Sequence, residues 1–262
     1  MKEELKENIL VVENLAMVFG GLTALTDTKF QIKKGTIKAI IGPNGAGKTT
    51  LYNIITGFLS PTRGNVWFKG QKISNLKPHE IAIRGISRSF QTIELFDNMT
   101  VLENVMVGCH SRINVSFFAS GMGLGAVKKK EEQFRSRAMD ILKFIGLSDK
   151  YNEMADSLPL GEQKNLEIGR ALASDPELIC LDEPAAGLNE TETHIASSLI
   201  KAIKEKGVTV LLVEHDMKVV MNISDEILVL NNGQVIAEGT PEEIQNNPSV
   251  IKAYLGDVTQ HA

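Results

Sequence analysis

The stretch Gly42-Pro43-Asn44-Gly45-Ala46-Gly47-Lys48-Thr49-Thr50 has the spacing of a phosphate-binding loop: glycine, four residues, then Gly-Lys-Thr. Its glycines let successive backbone N–H groups turn inward and face a polyphosphate. A helix starting at the same point adds its positive end. Lys48 can reach the outer phosphates, and the Thr49 hydroxyl can ligate Mg²⁺. Further along, Asp182-Glu183-Pro184 closes an apolar run. A hard cation wants oxygen ligands, so Asp182 suits Mg²⁺, and Glu183 can polarise a water for attack on a γ-phosphate. Alone, the two acids could instead simply open a helix, the less favoured of the two readings. His215, in Val213-Glu214-His215-Asp216, can touch that phosphate and hold the water–acid pair. Gln91 offers an amide to Mg²⁺ or to the water. Together these residue types point to binding and hydrolysis of a nucleoside triphosphate.

The chemistry needs a frame. The apolar run Ile37 to Ile41 reads as a buried strand feeding the loop, and Leu51 to Thr56 as the helix after it, stopped by Gly57. Ile9 to Glu13 and Asn65 to Phe68 read as short strands, and Leu15 to Ala24, with Gly20-Gly21, as a turn between strands. Phe19 beside those glycines is either a core aromatic or a stacking platform for an adenine ring. Ile86 to Phe90 is a further strand, ending at Gln91. Thr100 with Glu103 forms a capping box for the next helix. Segment 113–127 reads as a loop or broken helix. Lys128 to Gly146 carries Phe134, Ala138, Ile141, Leu142 and Ile145 at helical spacing, with Lys128-Lys129-Lys130 as its solvated start. Then helices (161–173, 190–206) alternate with apolar strands (178–181, 208–213), which implies a largely parallel sheet covered on both faces. Asn232-Gly233 marks a hairpin between 228–230 and 234–237, and short helices near Pro241 and Pro248 follow.

Composition excludes several classes. The chain has 262 residues and a net charge of -4, without the excess of Lys and Arg that a nucleic-acid binder needs. No apolar stretch approaches the ~20 residues of a membrane span, so action at a membrane would be as a guest of other subunits. Cys109 and Cys180 fit no metal pattern, and Cys180 within an apolar run reads as a reduced core residue.

The order of phosphate loop, Gln91, Leu158-Pro159-Leu160-Gly161-Glu162-Gln163, Asp182-Glu183 and His215 resembles the nucleotide-binding subunit of an ATP-binding-cassette transporter, from about residue 9 to 256. Phe19-Gly20-Gly21-Leu22, Met99 to Val105, Ala185 to Asn189, Glu214-His215-Asp216-Met217 and the ending Ala237 to Gly256 are similar to branched-chain amino-acid importer ATPases. Urea and short-amide importers share much of this. The resemblance implies an α/β fold: a mostly parallel RecA-like P-loop sheet, an antiparallel β part and an inserted helical subdomain. The core would be residues 1–91 and 171–262, and the helical subdomain, carrying the signature segment, 92–170. It implies ATP and Mg²⁺ as ligands, with Thr49, Gln91 and Asp182 at the metal and Gln91 at the hinge between lobes. It implies two cassettes stacked head to tail, Gly161 of one meeting the other's nucleotide. Transmembrane permease subunits, and indirectly a solute-binding protein, complete the assembly at the cytoplasmic face of the membrane.

The signature departs from the usual Leu-Ser-Gly-Gly-Gln. Pro159 removes a hydroxyl and a backbone N–H, and Glu162 places a negative charge near a phosphate. Both should weaken that contact, so the expected partner is a different cassette chain, with a homodimer as the alternative. Asn189 stands where an Asp is usual. Other classes fit less well. A repair or translation ATPase would carry long coiled-coil insertions or two cassettes, and a GTPase an Asn-Lys-x-Asp motif. A lipid or lipopolysaccharide exporter is separated only by the family-like strings above.

Overall fold

The structure, a computed structural model, describes residues 7–89, 92–109 and 124–256. Strands β1 (Asn8–Phe19), β2 (Leu22–Lys33), β4 (Arg63–Phe68) and β5 (Gln71–Lys72) make an antiparallel sheet in the order β2-β1-β4-β5. Strands β3 (Ile37–Ile41), β6 (Ile86–Arg88), β7 (Leu178–Asp182), β8 (Thr209–Val213), β9 (Glu226–Asn231) and β10 (Gln234–Gly239) make a second, in the order β10-β9-β3-β8-β7-β6. Every pairing there is parallel except β9 with β10. The helices are α1 (Lys48–Ile55), α2 (Pro78–Arg84), α3 (Val101–Cys109), α4 (Leu124–Phe144), α5 (Leu160–Ala173), α6 (Glu190–Glu205), α7 (Met217–Ile223), α8 (Pro241–Gln245) and α9 (Pro248–Gly256).

The parallel strands are buried on both faces, and their side chains sort with period two. Ile37, Ala39, Ile41, Ile179, Leu181, Val210 and Leu212 face one core, shared with helices α3 to α7. Ile40, Cys180, Leu211 and Leu228 face the other, shared with α1 and the antiparallel sheet. Lys38 lies within this otherwise apolar strand and is 1% exposed. A buried ammonium must be paired. Lys38 donates to the Gln31 carbonyl at 2.7 Å and to Glu226 at 3.1 Å, and it also pairs with Glu238. It therefore ties β2, β9 and β10 to β3.

Several expectations are corrected. The strands run to Phe19 and restart at Leu22, so the turn is confined to Gly20-Gly21. Register shifts along β1, with Asn14 at φ 48, break the alternation that would reveal a long strand. Helices α2 and α7 were not expected. The first has Pro78 at its start and the Lys77 N–H donating to Glu80 at 2.9 Å. The second is capped by Asp216, which accepts from the Lys218 N–H at 2.8 Å. The capping box at Thr100 is present, with the Glu103 N–H donating to Thr100 Oγ1 at 3.2 Å. Phe90, Gln91 and residues 110–123 lie outside the described residues, and 124–127 open helix α4.

Candidate nucleotide site

The loop after β3 is shaped by its glycines. Gly42 (φ 151) leaves no room for a side chain: a Cβ there would lie 2.1 Å from the Leu230 carbonyl oxygen. At Gly47 (φ 104) a Cβ would lie 2.7 Å from the Ala24 carbonyl oxygen. The loop closes on itself through the Ala46 N–H donating to the Pro43 carbonyl at 3.2 Å. It is stitched outward as well: the Gly233 N–H donates to the Ala46 carbonyl at 3.0 Å, and the Thr26 N–H to the Gly233 carbonyl at 2.8 Å. Gly47 caps α1 with no side-chain cap, so the helix start keeps its N–H groups for an anion.

Lys48 is buried and donates to the carbonyls of Gly42 at 2.6 Å and Pro43 at 2.9 Å. Burial lowers its pKa, and the Glu183 carboxylate draws it back up. Pro43 and Thr50 are half-buried, Ala46 is buried, and Asn44, Gly45 and Thr49 are exposed. Thr49 therefore lies at the accessible side of the loop.

Asp182 ends β7 and is buried. Burial raises its pKa, while the Arg88 guanidinium, 3.4 Å away, opposes the rise. Arg88 also donates to Asn53 at 2.7 Å and Thr56 at 3.0 Å, and lies over the rings of Tyr52 and Phe58. Glu183 follows in the left-handed region at φ 51, an uncommon conformation for a non-glycine residue. Its carboxylate meets His215 Nε2 at 2.9 Å. Thus Lys48, Asp182, Glu183 and His215 converge at the carboxyl ends of β3, β7 and β8, where open α/β sheets bind ligands.

Thr49 and Asp182 supply hard oxygen donors and few carboxylates. That fits Mg²⁺, which prefers one or two carboxylates together with substrate phosphates. Among the described residues no cluster of three or more His, Cys, Asp or Glu could hold a metal unaided.

Phe19 is 42% exposed at the hairpin tip, so it is not a core aromatic. Gly161 is buried in the first turn of α5, where a Cβ would lie 3.1 Å from the Glu192 side chain. Asn189 caps α6, accepting from the Glu192 N–H at 3.0 Å. The Glu162 charge does not stand alone: Lys150 Nζ donates to both of its carboxylate oxygens, at 2.8 and 2.6 Å. Its cost to a nearby phosphate is therefore smaller than the sequence implies.

Three residues of the site carried no signal strong enough to single them out. Glu214 is buried and accepts from the backbone N–H groups of Ala185 (2.7 Å), His215 (2.9 Å) and Asp216 (3.3 Å). Lys164 is buried and donates to the Glu183 carbonyl at 2.9 Å. Arg88 holds Asp182. Lys164 and Glu167, charges on the buried face of an amphipathic helix, were the one visible cue.

The family model described as "ABC transporter" matches residues 25–186. The chain belongs to this family of ATP-binding-cassette ATPases. A second model, described as "Branched-chain amino acid ATP-binding cassette transporter", matches residues 234–258. The high-affinity branched-chain amino acid transport ATP-binding protein BraF of Pseudomonas aeruginosa is 44% identical over 250 residues, covering 95% of this chain and 98% of its own. LivG of Escherichia coli, of the same description, is 42% identical over 254 residues, covering 97% and 100%. A crystal structure of a nucleotide-free cassette from an ABC transporter superposes with a TM-score of 0.83 at 39% identity, covering 94% of this chain and 98% of that one. A cassette in its ADP conformation does so with 0.83 at 37%, covering 95% and 99%. The ABC ATPase binds nucleotide and hydrolyses it.

Proposed function

We propose that this chain is the ATP-hydrolysing subunit of a membrane importer for branched-chain, hydrophobic amino acids. The observation that carries the reading is the Glu183–His215 contact at 2.9 Å above the phosphate loop, in a chain whose relatives are branched-chain amino-acid transport ATPases. Urea, short-amide and exporter readings find no support among those relatives.

Gly42 to Thr50 cradle the phosphates, and Lys48 leaves its loop carbonyls to meet the outer ones. Thr49, Asp182 and Gln91 would hold Mg²⁺, which when bound would supply positive charge to offset that of the transferring phosphoryl group. Glu183 takes the proton of the attacking water, and His215 orients that carboxylate and the phosphate. Exposed Phe19 stacks on the base.

The core comprises residues 1–91 and 171–262 and the helical lobe 92–170. The packing of α3 against α4 and α5 supports this division. An apolar groove of about 710 Å³ between them, lined by Phe58, Ile81, Leu95, Phe96 and Val107, supports docking of a permease segment. No helix among the described residues is long and apolar enough to cross a membrane, in keeping with a peripheral place on the cytoplasmic face beside permease subunits. Gly161 serves the nucleotide of a second cassette. Pro159, which lacks the hydroxyl and the N–H, favours a partner of different sequence, and a single cassette species in the purified complex would overturn that. Glu183→Gln should keep ATP binding and stop turnover; continued hydrolysis would remove Glu183 from the role of base.

A further inference from the structure

We propose that Lys164 is a positioning residue for the catalytic base, tying the helix that begins at the signature segment to the backbone of Glu183. The proposal rests on the reading of Glu183 as the base.

Glu183 sits in a conformation that a side chain disfavours, at φ 51. Such a residue persists only where its surroundings over-determine it. Its N–H donates to the Val213 carbonyl at 2.8 Å, and its carboxylate meets His215 at 2.9 Å. Both holds come from β8 and the residues just after it. Its carbonyl accepts from the local Ala186 N–H at 3.1 Å and, from α5, from Lys164 Nζ at 2.9 Å, which is the one of these holds that reaches Glu183 from a helix.

Lys164 is 8% exposed. A fully solvated lysine would be the ordinary outcome on a helix, so its burial needs a reason. Burial lowers its pKa, and the carboxylates of Glu214, Glu167 and Glu183 nearby oppose that fall without cancelling it. Lys164 lies one turn beyond Gly161 on the same face of α5. A shift of α5 against β7 therefore reaches the base through the carbonyl hold. The signature end of α5 serves one composite site of the cassette pair, and Glu183 serves the other. Lys164 is thus a direct mechanical link between them within one chain.

The test uses the purified transporter complex, with Lys164→Met and Lys164→Arg. Steady-state hydrolysis, binding of a fluorescent ATP analogue and thermal unfolding are measured for each. Lys164→Met should lower kcat by about tenfold or more, with KM and analogue affinity within about twofold of wild type. Lys164→Arg, which keeps the charge and a donor, should recover most of the loss. Lys164→Gln, which keeps a polar group among the acidic neighbours, takes the place of Lys164→Met if that complex does not assemble. A kcat within about twofold of wild type would overturn the proposal. So would a fall in kcat and affinity together with no recovery by arginine, the pattern of a purely structural residue. Glu183→Gln is run alongside. If it still hydrolyses ATP, the base assignment fails; if it is inactive while Lys164→Met is normal, only the role of Lys164 fails.

Discussion

Glu214 offers the sharpest test of how the site is built. It is 3% exposed, and its carboxylate accepts the N–H groups of Ala185 at 2.7 Å and His215 at 2.9 Å on separate oxygens. Ala185 lies two residues beyond Glu183 in the chain, and His215 meets the Glu183 carboxylate at 2.9 Å. In Glu214→Gln one oxygen becomes an NH₂ group, which faces an N–H donor whichever way the amide turns. One charge-assisted bond is lost and one buried donor is left unsatisfied. A hydrogen bond to a charged group contributes about 1.5–3 kcal/mol, so the expected destabilisation is roughly 2–3 kcal/mol. For a chain of this size, that lowers Tm by about 4–12 °C. Thermal unfolding of the isolated chain reads this directly. Turnover of the assembled complex should fall too, because the backbone presenting His215 shifts against Glu183. A variant melting within about 1 °C of wild type, with unchanged turnover, would refute the claim that Glu214 organises the strand ends.

Other outcomes follow from the same geometry. Gly47→Ala should weaken nucleotide binding by about ten- to a hundredfold, because left-handed strain of ~1–3 kcal/mol adds to the clash with Ala24, as an equilibrium binding measurement would show. Lys150→Ala should lower hydrolysis by the complex about two- to fivefold, less at high salt, since the pair is only partly buried. Glu162→Gln added to it should restore the rate, and no recovery would show that Lys150 does not act by neutralising Glu162. Burial pushes the Cys180 thiol from 9.0 up to about 12. The unfolded chain then releases this proton first, so stability should fall as pH rises from about 9 towards 12, by up to about 1.4 kcal/mol per pH unit. Cys180→Ala should flatten that slope in alkaline unfolding scans.

What could be read from the sequence was what is local in the chain. The phosphate loop, the strands that end in Asp182 and Val213, and the capping box at Thr100 are each written within a few consecutive residues. The long β1–β2 hairpin was obscured because Asn14 and the bulges interrupt the two-residue period that betrays a strand. Lys38 interrupts the apolar run of β3, and only the arrival of Glu226 and Glu238 from nearly two hundred residues away explains its burial. Glu214 and Lys164 had the same problem. Their role is to hold other residues' backbones, and no spacing rule announces such a partner. Glu162 was read as an uncompensated charge because its partner, Lys150, is twelve residues upstream and outside its helix.

The stitching of Ala46 to Gly233 and of Gly233 to Thr26 bears on biogenesis. As the chain leaves the ribosome, the lysine-bearing loop is made early, yet its brace comes more than four-fifths of the way along. Until that late hairpin folds back, the nascent polypeptide has the motif without its shape. The nucleotide can then act as a completion check, engaging firmly only with chains whose two ends have already met.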